Sequence, residues 1–567
     1  MTRCLYLIVF LFFIQISFGQ NIETIGKQQP LNLNGSFSTT LNFTGTNDST
    51  RKVTPFVYYI SGTLNTSVYG ISFPVSYTFS KNNSDFSNPF YRLGVSPEYK
   101  WAKVHMGYRS ISFSKFTLVG HNFLGGGLEL NPGILRFGAV YGRFAKKKLP
   151  SVDNPQDSIA GFSRKGFGVK LGIGRDDNFF DLLFLRIADD TTTLTGPYVE
   201  NAQSPEANSV IGALTRLTIA KKVVFDAEVA LSAYTDNVFA SPIDEKDLKN
   251  PSYAKNLEFL NVNQSSYFAY AISSQIQYME KNFTVGLQYR RIDPGYKSMG
   301  AYYFTGDLEN ITVNTRFNLL ERKLSVRGSI GFQNNNLKDN KISTTGKVIS
   351  KLNFSYKPSN KFGVSGDYTN YSIDQKPGSL PLNDTIKLYQ VNRNISLNPY
   401  FMLNSDNGSG MINLNMNLSD LNDLNQNTAD FTEVQNKMFF LNYSKNLNTP
   451  ALNYALGLIF NEMETFSIIQ KAFGGNASLS KSFFDNKFRV GINASVQKTK
   501  RNNDSGLISR GGFNVNYRVL MKHNFRLRML YTDVSYPDDS VAKSYNRYRV
   551  TFSYSYSFST KRNKTDR

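Results

Sequence analysis

The chain has 567 residues, with 64 Lys and Arg against 43 Asp and Glu, a net charge of +21, three histidines and one cysteine. Aromatics make up 14% of it, 45 Phe and 33 Tyr beside the single Trp101, while charged residues are 19%. Such a composition excludes a disulfide framework and suits strands with one apolar face better than helices, for which Asn, Ser, Thr and aromatics are middling formers.

At the start, "MTRCLYLIVFLFFIQISFGQ" has Arg3, an apolar run from Leu5 to Ile16 and the small-x-small site Ser17-Phe18-Gly19. This predicts a secretory signal peptide over 1–19, with Cys4 removed alongside it. The apolar run is short of the ~20 residues a spanning helix needs. For an exported chain the positive charge points to anionic lipid headgroups, lipopolysaccharide phosphates or an anionic solute, and not to nucleic acid. The basic residues are dispersed, apart from Lys146-Lys147-Lys148 and the tail Lys561-Arg562, and dispersed charge also reads as a solvated face.

A short N-terminal periplasmic segment, 20–32, precedes the first strand signal. From about Gly35 onward strand candidates follow one another, among them "GSFSTTLNFTG" (Gly35 to Gly45), "RFGAVYGRF" (Arg136 to Phe144), "NFTVGLQYRRI" (Asn282 to Ile292) and "FRLRMLYTDVSY" (Phe525 to Tyr536). About 26 such candidates can be counted, and no segment sustains a helical period. Tight turns are expected at "KNN" (Lys81 to Asn83), "RDDN" (Arg175 to Asn178), "EKN" (Glu280 to Asn282), "PSN" (Pro358 to Asn360) and "FFDNK" (Phe483 to Lys487). Long polar connectors are expected at Lys146 to Gly161, Thr191 to Ser209, Asp236 to Ser266 and Ser419 to Val434.

Alternating short and long connectors are the pattern of a transmembrane barrel. Past residue 19 nothing approaches ~20 consecutive apolar residues, so a closed barrel is the remaining way to satisfy every backbone group in lipid. The expected fold is all-β: a transmembrane antiparallel β-barrel over 33–558 of about 24–26 strands, with short periplasmic turns, long extracellular loops and a basic tail, 559–567. Asp236 to Ser266 is the longest candidate for a constriction inside it, the alternative being a loop that stands outside. Gly107 to Asn131 faintly echoes Gln288 to Thr312, each a strand, an irregular crossing and a strand.

The signal ending in Gly19-Gln20, the Tyr/Phe/Asn-rich hairpins, "LELNPGILRFGAVYGRF" (Leu128 to Phe144) and the closing "YRVTFSYSYSF" (Tyr548 to Phe558) together carry a resemblance. The chain resembles single-chain outer-membrane β-barrel proteins of Bacteroidota-type Gram-negative bacteria over essentially its whole length after the signal. The resemblance implies a place in the outer membrane, contact with its lipid and lipopolysaccharide, and insertion by the barrel assembly machinery. It also implies that Phe552, Tyr554, Tyr556 and Phe558 form the signal that machinery reads. The tail after Phe558 departs from the pattern, since the aromatic is the final residue in many such proteins. Energised transporters of similar size carry a plug domain before the first strand, and 20–32 is too short for one.

Catalytic motifs are lacking, so no enzyme, cofactor or metal is expected; His105, His121 and His523 are scattered, and Gly125-Gly126-Gly127 reads as a bend or bulge. Parity within the strands selects Arg109, Arg143, Arg290 and Arg316 as lumen candidates, because an arginine facing lipid at mid-depth costs about 2–4 kcal/mol. A ring of them would favour anions; alternatively they pair with inward carboxylates such as Glu129, Asp307 or Asp367 and only fill the lumen. The expected function is a porin-like channel or solute-binding barrel. The alternative is a non-conducting barrel serving as a structural or secretion-complex subunit with an outer-membrane partner, and an enzyme using His105 or His121 ranks third.

Overall fold

The computed structural model describes residues 31–48, 53–68, 71–81, 94–150, 159–200, 202–243, 262–301, 305–377, 387–520, 522–537, 540 and 543–560. Its first strands are β1 (Leu31–Thr46), β2 (Phe56–Val68), β3 (Ile71–Lys81), β4 (Gly94–Val95), β5 (Glu98–Tyr99), β6 (Ala102–Ser110), β7 (Asn122–Leu130), β8 (Leu135–Ala145) and β9 (Ser163–Arg175). Then come β10 (Asn178–Asp190), β11 (Ala207–Ile219), β12 (Val223–Thr235), β13 (Ser266–Met279), β14 (Phe283–Ile292), β15 (Leu308–Leu319), β16 (Leu324–Asn334), β17 (Ser343–Tyr356) and β18 (Phe362–Pro377). The last are β19 (Tyr389–Ser405), β20 (Gly408–Asp423), β21 (Val434–Leu447), β22 (Leu452–Thr465), β23 (Ile469–Phe483), β24 (Phe488–Arg501), β25 (Asp504–Val519), β26 (His523–Ser535) and β27 (Tyr545–Ser559).

All 27 strands join one sheet, and every pairing in it is antiparallel. β4 and β5 share the place between β3 and β6, broken at Ser96-Pro97, so 27 strands less that doubling make 26 staves. β27 returns to β1, with Gly35 opposite Phe558 and Thr46 opposite Arg547, and closes the sheet. Closure removes the unpaired edges that lipid would not tolerate. An even number of staves brings the last strand back to the end where the first began, and the Thr560 N–H donates to the Leu33 carbonyl at 2.8 Å.

Directly opposed residues share a face, so the registers sort the side chains. One face is apolar and exposed: Phe180, Leu182 and Ile211 on β10 and β11, Leu456, Leu458 and Ile492 on β22 and β24. The strands that carry this belt run from 9 residues in β6 to 17 in β19, which suffices to cross a hydrocarbon core. Opposite it lies the inward face.

Connectors at the end holding Leu31 and Ser559 are short, as at 176–177, 280–282, 357–361 and 484–487. Leu320, Phe484 and Leu520 each open such a turn at positive φ (52°, 54° and 50°), presenting apolar tips where strands leave the belt. At the other end 111–121, 146–162, 191–206, 236–265 and 293–307 are long, whereas 466–468 and 502–503 are short. Two expectations change. Ser419 to Asp423 completes β20 and does not belong to a loop. Gly125 to Gly127 make no bulge: they pair regularly within β7, where a Cβ on Gly125 would lie 2.1 Å from the Tyr141 carbonyl oxygen. The "KNN" turn lies mostly outside the described residues.

The apolar core lies inside the barrel. Residues 111–121 and 293–301 turn inward and pack on the inner face of β7 to β15, where Phe116, Leu118, Phe123, Leu185, Ile187 and Ile292 are almost wholly buried. Glycines in the wall make room: Cβ atoms on Gly138 and Gly168 would come within 2.9 and 3.1 Å of the Phe113 ring. The Tyr296 hydroxyl donates to the Phe116 carbonyl at 2.9 Å, and Ser298 to the Thr117 carbonyl at 2.6 Å. Glu228 on the wall accepts from the Phe116 N–H at 2.8 Å, and Asn208 from the Met299 N–H at 3.0 Å. The expected constriction, Asp236 to Ser266, lies largely outside the described residues; these two other loops form the inner packing, because Phe113, Phe116 and Leu118 on one and Tyr296 and Met299 on the other give them something to bury.

Candidate functional site

The lumen wall has two halves with different charge chemistry. In the half under the inward loops, three arginines are paired with acids. Arg136 holds Asp181 with two bonds at 2.7 and 3.1 Å, Arg164 binds Asp189 and Glu206, both at 2.9 Å, and Arg216 binds Asp226 at 2.6 Å.

The other half is basic and unpaired. Arg489 on β24, Arg510 and Arg518 on β25, Arg526 and Arg528 on β26, and Arg547 and Arg549 on β27 all take the inward parity. Arg489 is opposite Asn516, which is opposite Arg526; Arg528 is opposite Thr551, two positions from Arg549. Arg547 is opposite Thr532, which is opposite Arg510. With staves ~4.8 Å apart, the cations form a rising diagonal of close neighbours along the wall. All but the half-buried Arg547 are exposed. Arg510 donates to Gln497 at 3.2 Å, and among the described residues none of the seven has a carboxylate partner. On the inward parity of β21 to β27, β1 and β2 the one acid among the described residues is Asp504, at the long-loop end. Beside this wall the closing seam is neutral, with side-chain bonds Ser36 to Thr63 (2.9 Å), Ser38 to Ser61 (2.8 Å) and Thr551 to Asn42 (2.7 Å).

The four arginines selected from sequence do not form a ring. Arg109 points inward and donates to the Gly94 carbonyl. Arg290 points inward beneath the loops, its guanidinium 5.8 Å from the Phe116 ring centre. Arg316 is inward, exposed and opposite Arg327. Arg143 faces outward: it shares its parity with the exposed Tyr141 and donates to the Tyr108 hydroxyl at 3.3 Å, while Val140 and Phe144 face the core. The parity rule failed there because the inward loops make that stretch of inner wall apolar. The basic diagonal escaped sequence reading although "FRLRMLY" carries its signature, Arg526 and Arg528 alternating with Phe525, Leu527 and Met529.

The carboxylates expected to neutralise those arginines have other partners. Asp307 binds Lys341, and Asp367 accepts from Asn353 and from Ser396. Glu129 accepts from His105 Nε2 at 2.7 Å, and Ser96 bonds His105 Nδ1 at 3.0 Å. That order is a nucleophile, base and acid relay, but Ser96 and His105 are each 5% exposed and the relay ties the broken stave to β6 and β7. No cluster of metal-ligating side chains occurs among the described residues.

On β27, Phe552, Tyr554, Tyr556 and Phe558 share the outward face. Tyr556 stacks on His523 at 4.5 Å and Tyr554 packs at a tilt on Phe525 at 4.9 Å, which makes an aromatic band beside the closing seam.

A closed antiparallel sheet with an apolar outer belt, short turns at one end and long loops at the other is a transmembrane β-barrel. No protein-family model matches the chain, and no curated protein is significantly similar to it in sequence. Among solved structures it is similar to OccAB2 of Acinetobacter baumannii at a TM-score of 0.31 and 11% identity, over 63% of this chain and 92% of that one. The translocation pore of the P pilus usher PapC gives 0.38 and 10%, over 93% and 100%. OpdK of Pseudomonas aeruginosa, solved with vanillate, gives 0.31 and 10%, over 70% and 99%. Similarity at this level decides nothing about activity, and the class rests on the strand pairing and the two faces.

Proposed function

We propose that this chain is an outer-membrane channel of a Gram-negative cell that passes small anionic solutes along the basic side of its lumen. One observation carries the reading: the diagonal of seven inward arginines from Arg489 to Arg510, six of them solvent-exposed and none with a carboxylate partner among the described residues, whereas Arg136, Arg164 and Arg216 on the opposite half are ion-paired. Cations on a low-dielectric wall raise the local concentration of anions and repel cations. Short turns and both described chain ends then face the periplasm, and the long loops the outside.

The partners follow from the same reading. Membrane lipid meets the apolar belt. Arg143 stands on the outer face near the long-loop end, where lipopolysaccharide phosphates would neutralise it; Lys165, beside it in register, is already paired with Asp190 at 2.7 Å. The outward aromatics of β27 suit the role of assembly signal, as in the Bacteroidota-type proteins the sequence resembles.

Reversal potentials across planar bilayers under a salt gradient test the proposal. Discrete steps with anion preference, weakened or inverted by Arg526→Glu with Arg528→Glu, are expected. Folded protein that gives no steps and copurifies with another outer-membrane protein would replace the channel by a structural or secretion-complex subunit.

A further inference from the structure

Between β19 and β25 the inward side chains shrink. Ala455, Ser478, Ser480 and Gly491 floor a groove of about 640 Å³, with Met402 and Met411 on one side and Arg489 on the other. Gly491 leaves room for the Asn514 amide, whose nitrogen would lie 2.5 Å from a Cβ at that position. Four amides face the groove: Asn446, Asn453, Asn493 and Asn514. Elsewhere in the lumen amides bond one another, Asn442 to Asn413 at 3.1 Å and Asn417 to Asn394 at 2.9 Å. The four groove amides have no side-chain hydrogen bond to any described residue. Arg528 stands opposite Asn514 and extends the basic diagonal past the groove.

We infer that this groove binds a hydroxylated organic anion of the sugar-acid or sugar-phosphate class, resting on the channel reading only in supposing that solutes enter the lumen. Arg489 takes the carboxylate or phosphate through paired N–H bonds, which a planar guanidinium suits better than an ammonium. Each amide both donates and accepts, so four of them match the mixed donors and acceptors of successive hydroxyls. The two thioethers give the C–H face of the sugar an apolar contact. The volume falls in the range of about 300–1,000 Å³ usual for small-ligand sites.

Calorimetric titration of the folded full chain in detergent, with glucose 6-phosphate, gluconate, glucose and inorganic phosphate, tests the inference. At least one sugar anion is expected to bind about ten-fold or more tightly than both glucose and phosphate, and comparing the two shows which head group is preferred. Ser478→Leu, or Ala455→Leu as a second filled floor, should abolish binding while heat-modifiable migration persists, and Arg489→Gln should bring the anions down to the level of glucose. Equal binding of phosphate and glucose 6-phosphate, binding that survives a filled floor, or no binding by any of the four overturns it. These titrations need no bilayer, so missing conductance steps would count against the channel reading alone.

Discussion

The Val119 N–H donates to the Gly300 carbonyl at 3.0 Å, joining two loops that enter the barrel from opposite sides of the packed half-wall. These lie within the two segments, Gly107 to Asn131 and Gln288 to Thr312, that faintly echo each other in sequence. Each leaves a strand, crosses irregularly and returns to a strand, and inside the barrel the crossings close on one another.

Glu228 anchors this junction to the wall through the buried Phe116 N–H. Glu228→Ala leaves that donor unsatisfied, at a cost of about 1–3 kcal/mol. A lower unfolding midpoint in denaturant and a larger unit conductance in bilayers are expected; an unchanged conductance would mean that the loops stay seated without the anchor.

Arg290 separates packing from selectivity. It lies under Phe116, close to Glu228, so Arg290→Glu should lower the yield of folded, heat-modifiable protein while barely moving the reversal potential of the protein that folds. Arg549→Glu, exposed on the basic diagonal, should do the reverse.

Acid should loosen the long-loop end. Burial acts to raise the Asp307 carboxyl, but the Lys341 ammonium and the Leu337 and Asn336 N–H groups outweigh it and hold the group below its ordinary value. With the folded value below the unfolded one of about 3.9, the bracing is complete above that pH and is lost as pH falls through the folded value. Hydrogen exchange at the Asn336 and Leu337 amides should show protection at neutral pH that fades in acid. Asp307→Asn, which keeps one acceptor oxygen and cannot ionise, should show weaker protection that does not change with pH, and a pH-independent profile in the native chain would refute the link.

Gly35 sits at the seam, where a Cβ would meet the Thr63 carbonyl at 2.5 Å and the Phe558 ring at 2.8 Å. Gly35→Val should overpack the closing strand by about 1–3 kcal/mol. Its reading is a reduced heat-modifiable fraction on unboiled gels, with full recovery in Gly511→Ala, where nothing lies within 4 Å of the added Cβ.

Much of the barrel is legible in the chain because lipid on one face and water on the other impose a period of two on each strand. The alternation "FSYSYSF" assigned Phe552 to Phe558 to one face of a closing strand, and the short breaks at "RDDN" and "FFDNK" fall at turns of the short-turn end. Legibility fails where the inner face is also apolar. Val140 and Phe144 read as lipid-facing and Arg143 as inward, and the inserted Phe113 and Ile111 reverse all three.

Strand number, the polar character of the staves late in the chain and the aromatic closing ribbon are thus properties of the sequence alone, set locally by what each side chain must touch. Which loops fill the barrel, and therefore which arginines stay unpaired, was decided only in three dimensions. Tyr296 meets Phe116 across 180 positions of chain. Asn516 lies between Arg489 and Arg526 only because three separate strands share one register. Contacts between distant segments leave no period to read, and here they divide the lumen into a packed half and a basic half.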